Sequence, residues 1–394
     1  MKLLIITEEF PPMRGGVADY TRHLGQALAG KGIRTVVLTS AGSGARREGG
    51  VEVLREVRSW NAFGMLAVLR KIRRARPDVC NLQYVPYMYS AYGVPLQIAA
   101  LAAGIRAMGI PLVTTIHEVG GCFRWARPKY WGIVLLQRVI AHALALLSSQ
   151  IVVVVDLYRA MLGRSGSKIR SIPVGSNIIP VDVPEPERRR LRKAIAPGGE
   201  TIIATFAGGA WYKAVVVLEA ASALIKTRGK EVKVLVLGAR GLETPPGGRS
   251  LSRIAEELGI DHAVRITGYL EESDVFRRLA VADIFALIDA GPYGGISAKS
   301  TVLVAAFAAG LPVVANRGPI TDSLFVHDEN IFLVDSAGPV ELAAALDRLI
   351  DDPDGRRRLA DGGRETYRQH FTWERIAADY MHALSGQPPD GVGA

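Results

Sequence analysis

Residues 289–318, DAGPYGGISAKSTVLVAAFAAGLPVVANRG, hold the side chains best suited to bind an anion. A Gly-rich stretch with Gly295, Ile296 and Ser297 leads to Lys299, Ser300 and Thr301, and then to small apolar residues that read as a helix over 300–309. The first-turn amides of a helix lack intrahelical partners, and its dipole favours negative charge there. An ammonium and two hydroxyls at that place suit a phosphate or diphosphate. The simpler account is a crossover helix packed on a sheet and ended by a Gly-Leu-Pro turn. Three other places carry suitable chemistry. Gly15 and Gly16 follow the first apolar run and let backbone come close to a ligand. Their spacing is not GxGxxG, so a nicotinamide cofactor has no support. His117 closes the apolar run 112–116 at its carboxyl end, the side on which open α/β sheets bind ligands. Glu118 beside it orients a hydroxyl or caps a loop. Tyr84 and Tyr87 lie in NLQYVPYMYSAYG after another run; their rings and hydroxyls suit a sugar, and a buried tyrosine cluster explains them equally well.

These groups are spaced by alternating strands and helices. Short β-branched runs at 2–7, 35–39, 51–54, 79–82, 112–116, 151–155 and from 170 onward read as strands. Helical stretches lie between them at 16–31, 60–74, 96–107 and 130–147. Residues 183–200 are Pro-rich and charged without an apolar period, and read as a linker. The alternation then restarts, with strands at 201–206, 233–238, 264–267, 284–288, 313–315 and 331–334 and helices at 214–226, 251–258, 272–281 and 340–351. Nearly all-apolar strands joined by helices predict parallel sheets covered on both faces. The expected division is therefore 1–182, a linker 183–200, a second domain 201–369, and a terminal helix and tail 370–394 that packs back on the first domain. Two such domains facing each other would form a ligand cleft at the carboxyl ends of their strands.

Composition narrows the partners. A chain of 394 residues, 49% apolar and 22% charged, is globular, and its net charge of +10 suits anionic partners. The excess gathers at 70–76 (RKIRRAR), 124–129 and 188–193 (RRRLRK). Trp125 is the one aromatic residue within these runs, too few for the stacking platforms a nucleic acid needs, which argues for a membrane surface or a phosphorylated ligand instead. Only Cys80 and Cys122 occur, without metal spacing, so a reducing compartment and no metal are expected. The start MKLLIITEEF reads as a strand and not as a signal peptide. No apolar run reaches membrane-spanning length. A cytoplasmic location, peripheral to the inner membrane face, follows as an expectation.

With those residues in view, the chain resembles the retaining GT-B glycosyltransferases of the family-4 type over nearly its whole length. MKLLIITEEFPPMRGGVADY is similar to that family's first strand, Gly-Gly loop and helix. TTIHEVGG places His117 at the family's cleft histidine, and RSIPVGSN resembles the end of its first domain. FAGGAWYKAVVVLEAASAL places Lys213 at its diphosphate-binding lysine, after Gly208 and Gly209. The segment GGISAKSTVLVAAFAAGLPVV is similar to the donor-domain signature, and FTWERIAADYMHAL to the terminal helix. The resemblance implies two Rossmann-like domains, a nucleoside diphosphate sugar as donor substrate, no cofactor, and a sugar or lipid-linked acceptor. It also implies that His117 and Lys213 act in catalysis. Gly15 and Gly16 would face the transferred sugar. Gly208, Gly209, Lys213, Gly295, Ile296, Ser297, Lys299, Ser300 and Thr301 would hold the donor, and Glu118, Tyr84 and Tyr87 the acceptor. The chain departs from the family where two glutamates are usual, carrying Ser297 and Ala305 instead, and it lacks the usual arginine before Lys213. GISAKS is similar to a variant loop in which basic residues follow Gly-(Val/Ile)-Ser. Beside transfer stands a second expectation, a scaffold that binds a ligand or partner enzyme without turnover. A third, weaker expectation is another GT-B activity such as an epimerase; nothing resembles a pyridoxal-phosphate site, which argues against a phosphorylase.

Overall fold

The computed structural model describes all residues except 45, 122–127, 164–167, 209–210, 230, 239–249, 292 and 387–394. The chain forms two compact units. The first comprises 1–175 and 372–394, the second 176–371.

Eight strands make the first unit's sheet: β1 (Lys2–Ile6), β2 (Arg34–Ser40), β3 (Arg47–Glu48), β4 (Val51–Val57), β5 (Val79–Tyr84), β6 (Leu112–Ile116), β7 (Gln150–Val153) and β8 (Ile169–Ser171). Their order is β3-β4-β2-β1-β5-β6-β7-β8. Every pairing is parallel except β3 with β4. Strand order reverses between β1 and β5, and ligands of such sheets bind at the carboxyl ends beside that reversal. Leu3, Leu4, Ile5 and Ile6 of β1 are fully buried, because helices cover both faces. The helix Gly16–Gly30 packs against the terminal helix Trp373–Leu384, and the hydroxyls of Tyr20 and Tyr380 meet at 2.7 Å. Trp373 fills the space beside Gly175, where an added Cβ would lie 2.7 Å from its ring. The terminal helix is thus integral to the first unit.

The second unit's sheet has six parallel strands, β9 (Thr201–Phe206), β10 (Val232–Leu237), β11 (Val264–Ile266), β12 (Ile284–Leu287), β13 (Val313–Asn316) and β14 (Phe332–Val334). They are ordered β11-β10-β9-β12-β13-β14, so this sheet reverses between β9 and β12. Alternate residues feed two cores. Ile202, Ala204, Phe285 and Leu287 pack with the helices Glu272–Leu279 and Thr301–Ala309. Ile203, Val234, Ile284 and Ala286 pack with Tyr212–Arg228, Leu251–Glu257 and Pro339–Asp351. The two-residue period of a strand produces this division, and burial of both faces explains why the strands read as unbroken apolar runs.

Residues 183–200 depart from the expected linker. They contain the helix Glu185–Ile195, and Val183, Ile195 and Ala196 lie in the second unit's core. Arginines anchor this helix where an apolar stripe usually would. Arg192 forks onto Asp283 at 2.9 and 3.0 Å, and Arg188 donates to the carbonyls of Val183 and Ala280. Part of the basic run at 188–193 therefore serves internal structure.

Candidate functional site

In the second unit, the reversal between β9 and β12 brings two loops together. Lys213 stands in the first turn of the helix Tyr212–Arg228, whose start at Trp211 has no side-chain cap. Its ammonium meets Asp289 Oδ2 at 2.6 Å, with the two side chains 21% and 27% exposed. Asp289 is itself fixed. Its backbone amide donates to Asn316 Oδ1 at 2.7 Å, its carbonyl accepts from Asn316 Nδ2 at 3.0 Å, and its Oδ1 accepts from the Gly291 amide at 2.8 Å. A lysine charge is thus held at the sheet edge by a carboxylate that a buried asparagine locks in place. Gly208 serves packing, since an added Cβ would sit 2.5 Å from the Phe206 ring. Gly209 lies outside the described residues.

The loop before the helix Thr301–Ala309 is shaped by backbone against backbone. Gly295 has φ +90, and an added Cβ would lie 2.5 Å from the Gly318 amide nitrogen. A Cβ at Gly318 would lie 2.3 Å from the Gly294 carbonyl oxygen. Hydrogen bonds fasten the same crossing: Ile296 N to Asn316 O at 3.2 Å, Ile320 N to Gly294 O at 3.3 Å, and Ala298 N to Asp322 Oδ2 at 2.5 Å. Ile296 and Ala298 point inward, while Ser297, Lys299, Ser300 and Thr301 are half-buried around the helix start. Ser300 adopts an extended cap without a side-chain bond. Ala305 is fully buried in the helix interior, so its side chain reaches no ligand.

In the first unit, His117 follows β6 and is 3% exposed, with Nε2 2.8 Å from Gln83 Oε1. A chain of buried polar contacts continues from it. Gln83 Nε2 donates to Asn81 Oδ1, and Asn81 Nδ2 donates to Thr115 Oγ1 at 3.0 Å. Thr115 and the Tyr380 hydroxyl meet at 2.9 Å, and Tyr380 meets Tyr20 at 2.7 Å. The Tyr20 ring returns to His117 edge-on, with centroids 4.8 Å apart. Each buried polar group is satisfied by the next, which orients the imidazole through groups on four elements. Glu118 beside it is half-buried. Tyr84 is fully buried, whereas Tyr87 is 56% exposed on the short helix Pro86–Tyr89, so the two tyrosines differ in access. Gly15 is packed against Glu9, but a Cβ at Gly16 would meet nothing within 4 Å. The open space at Gly16 lies at the start of its helix.

Sequence reasoning passed over Asp289 and Asn316, the Gln83–Asn81 pair, and Glu8. A signal for the second was present: two amides inside the strand VCNLQY need internal partners once buried. Glu8 follows β1 at the reversal. Burial pushes its carboxyl up to about 7, with the nearby Glu9 charge adding to the shift.

Two parallel α/β units, each with polar groups at the carboxyl edge of its sheet reversal, define a GT-B type of protein. Residues 15–175 match the family described as Glycosyl transferase 4-like domain, and 187–366 match Glycosyl transferases group 1. The chain belongs to the family-4-like glycosyltransferases, and it is an enzyme of that class. It is 22% identical over 401 residues to a GDP-mannose-dependent alpha-(1-6)-phosphatidylinositol monomannoside mannosyltransferase of Mycobacterium tuberculosis, covering 98% of each chain. It is 31% identical over 137 residues to a lipopolysaccharide core biosynthesis glycosyltransferase of Rhizobium meliloti, and that match spans 34% of this chain and 38% of the relative. A glycosyltransferase structure from Rickettsia africae superposes with a TM-score of 0.73 at 16% identity, covering 98% of this chain and 97% of that one. Among the described residues, no helix is long and apolar enough to cross a membrane.

Proposed function

We propose that this protein transfers a hexose, with mannose the first candidate, from a nucleoside diphosphate sugar to a lipid-linked or glycoconjugate acceptor with retention of configuration. The observation that carries the donor assignment is Lys213, held at the second sheet's reversal by Asp289. Sugar transfer leaves negative charge on the departing diphosphate, and a preorganised cation with first-turn amides stabilises that charge. Lys213 serves as the point charge, with Lys299, Ser300 and Thr301 as further donors around the backbone of 295–297. Gly208 and Gly209 let the loop after β9 approach the phosphates. In the first unit, Gly16 and His117 face the transferred sugar, with Gly15 shaping the loop. Glu118 and Tyr87 reach the acceptor, whereas Tyr84, which the sequence also assigned to it, is fully buried and does not touch it. The relative that uses GDP-mannose supports mannose, and with it GDP as the base carrier.

The test is calorimetric titration with GDP, UDP, ADP and dTDP. One nucleotide, GDP first, is expected to bind selectively; no binding from the panel would end the donor reading. A lipid acceptor also calls for a basic surface. The helix Met65–Ala75 exposes Arg70, Arg73 and Arg74, with Phe63 93% exposed and Leu66 65% exposed beside them. Each such cation contributes about 1 kcal/mol near an anionic membrane. Co-sedimentation with phosphatidylglycerol vesicles is expected at low salt and to fade at high salt. Equal recovery in the supernatant with and without vesicles would remove the membrane from the proposal.

A further inference from the structure

Glu8 occupies a position that the reading above does not use. In the parallel register Ile6 pairs with Leu82, so Glu8 and Tyr84 stand two residues further on, at the ends of the two strands that flank the first sheet's reversal. Glu8 is half-buried, and its Oε2 is enclosed without a hydrogen-bond partner. The Tyr84 hydroxyl is enclosed and likewise unpartnered. The Tyr89 hydroxyl, which senses both groups, is spent on the Gln83 carbonyl at 2.8 Å. The wall behind the carboxyl therefore withholds donors from it, and the other oxygen is left to whatever enters from the open side. Glu8 shares its loop with Gly15 and Gly16, and Gly16 faces open space.

We propose that Glu8 recognises the acceptor: its outward carboxylate oxygen accepts a hydrogen bond from an acceptor hydroxyl, so that acceptor binding drives loss of the Glu8 proton. This rests on the transferase reading and names a residue for its acceptor side. In the transfer, the acceptor O–H bond breaks and the new bond to the anomeric carbon forms. The bond from that carbon to the phosphate oxygen breaks, and the proton leaves on the diphosphate. Glu8 orients the hydroxyl and keeps no proton from it. Burial sets its charge first and Glu9 on its own loop second; Tyr89 on the short helix and Arg55 of β4 are other titratable groups of the neighbouring elements. Arg55 donates to the Pro11 carbonyl and stands 5.6 Å over the Phe10 ring. The hydroxyls of Thr39 and Ser40 from β2 are bonded to the Glu8 carbonyl oxygen. Burial, and after it the neighbouring Glu9 carboxylate, raises this carboxyl to about 7.

The probe is methyl α-D-mannopyranoside, titrated by saturation-transfer NMR in the presence of GDP, one unit below and one unit above that value. Binding is expected to tighten about tenfold with the rise in pH, because only the ionised fraction binds. Glu8→Gln is expected to bind more weakly and with no pH dependence, and Glu8→Asp to recover part of that dependence. GDP binding is expected to be unchanged in both variants. Fold is checked by thermal unfolding. A carboxyl raised in the folded state loses stability as pH climbs from its unfolded value towards 7, so Glu8→Gln should be at least as stable as the parent above 7. The proposal is overturned if the parent does not bind the mannoside, or if Glu8→Gln keeps the parent's affinity and pH profile. Failure of the parent to bind any nucleotide would instead count against the donor reading, which these samples report separately.

Discussion

Replacing Lys213 by alanine is expected to weaken binding of the preferred nucleoside diphosphate at least tenfold and as much as about 100-fold. A charge-assisted hydrogen bond to phosphate contributes roughly 1.5–3 kcal/mol, which is that range in affinity. The loss is larger than for a lone lysine because of its partner. Asp289 sits 2.6 Å from the ammonium and is locked by Asn316 and the Gly291 amide, so it does not swing away. Without Lys213 a fixed carboxylate confronts an incoming diphosphate. The double variant Lys213→Ala with Asp289→Asn should therefore bind better than Lys213→Ala alone. Calorimetry on the two single variants and the double completes the cycle. Unchanged affinity in Lys213→Ala would show the pair to be structural and move the donor elsewhere.

Gly318→Ala is expected to impair donor binding severely without touching a ligand. Its Cβ would lie 2.3 Å from the Gly294 carbonyl oxygen, a backbone atom with no rotamer to yield. The loop 294–298 is tied to that place by bonds from Ile296, Ile320 and Ala298, so it moves as a body or the clash persists. Overpacking of this kind costs about 1–3 kcal/mol, and the second unit's melting temperature should fall by several degrees. A Cβ at Gly16 meets only open space, so Gly16→Ala should leave the melting temperature unmoved. Normal stability and normal nucleotide affinity in Gly318→Ala would refute the tight crossing.

The architecture was readable because its strands bury both faces. An apolar run such as TIIATF reports a central strand without any partner being known, and the structure places it at Thr201–Phe206. The helix Glu185–Ile195 escaped because its anchors are guanidinium bonds to carbonyls and to Asp283, which leave no periodic apolar trace. At the candidate site, Gly295 and the helix start were visible as glycines before small residues. Their purpose was not, because the need for Gly295 arises from Gly318, more than twenty positions away. Asp289 and Glu8 were hidden for a related reason. A carboxylate in a loop looks like any solvated charge until the fold shows which groups surround it and which donors are missing.

The contact between Tyr20 and Tyr380 joins residues 360 positions apart, inside the unit that begins the chain. During synthesis the stretch 176–371 emerges before the helix Trp373–Leu384 that finishes the first unit. The usual N-to-C order of domain maturation on the ribosome is thereby inverted. The half that starts first waits, with the Gly16–Gly30 helix uncovered, until the last-made helix arrives. A nascent chain stalled before residue 373 would carry a finished second unit and an unfinished first one, a state in which a chaperone has an apolar helix face to hold.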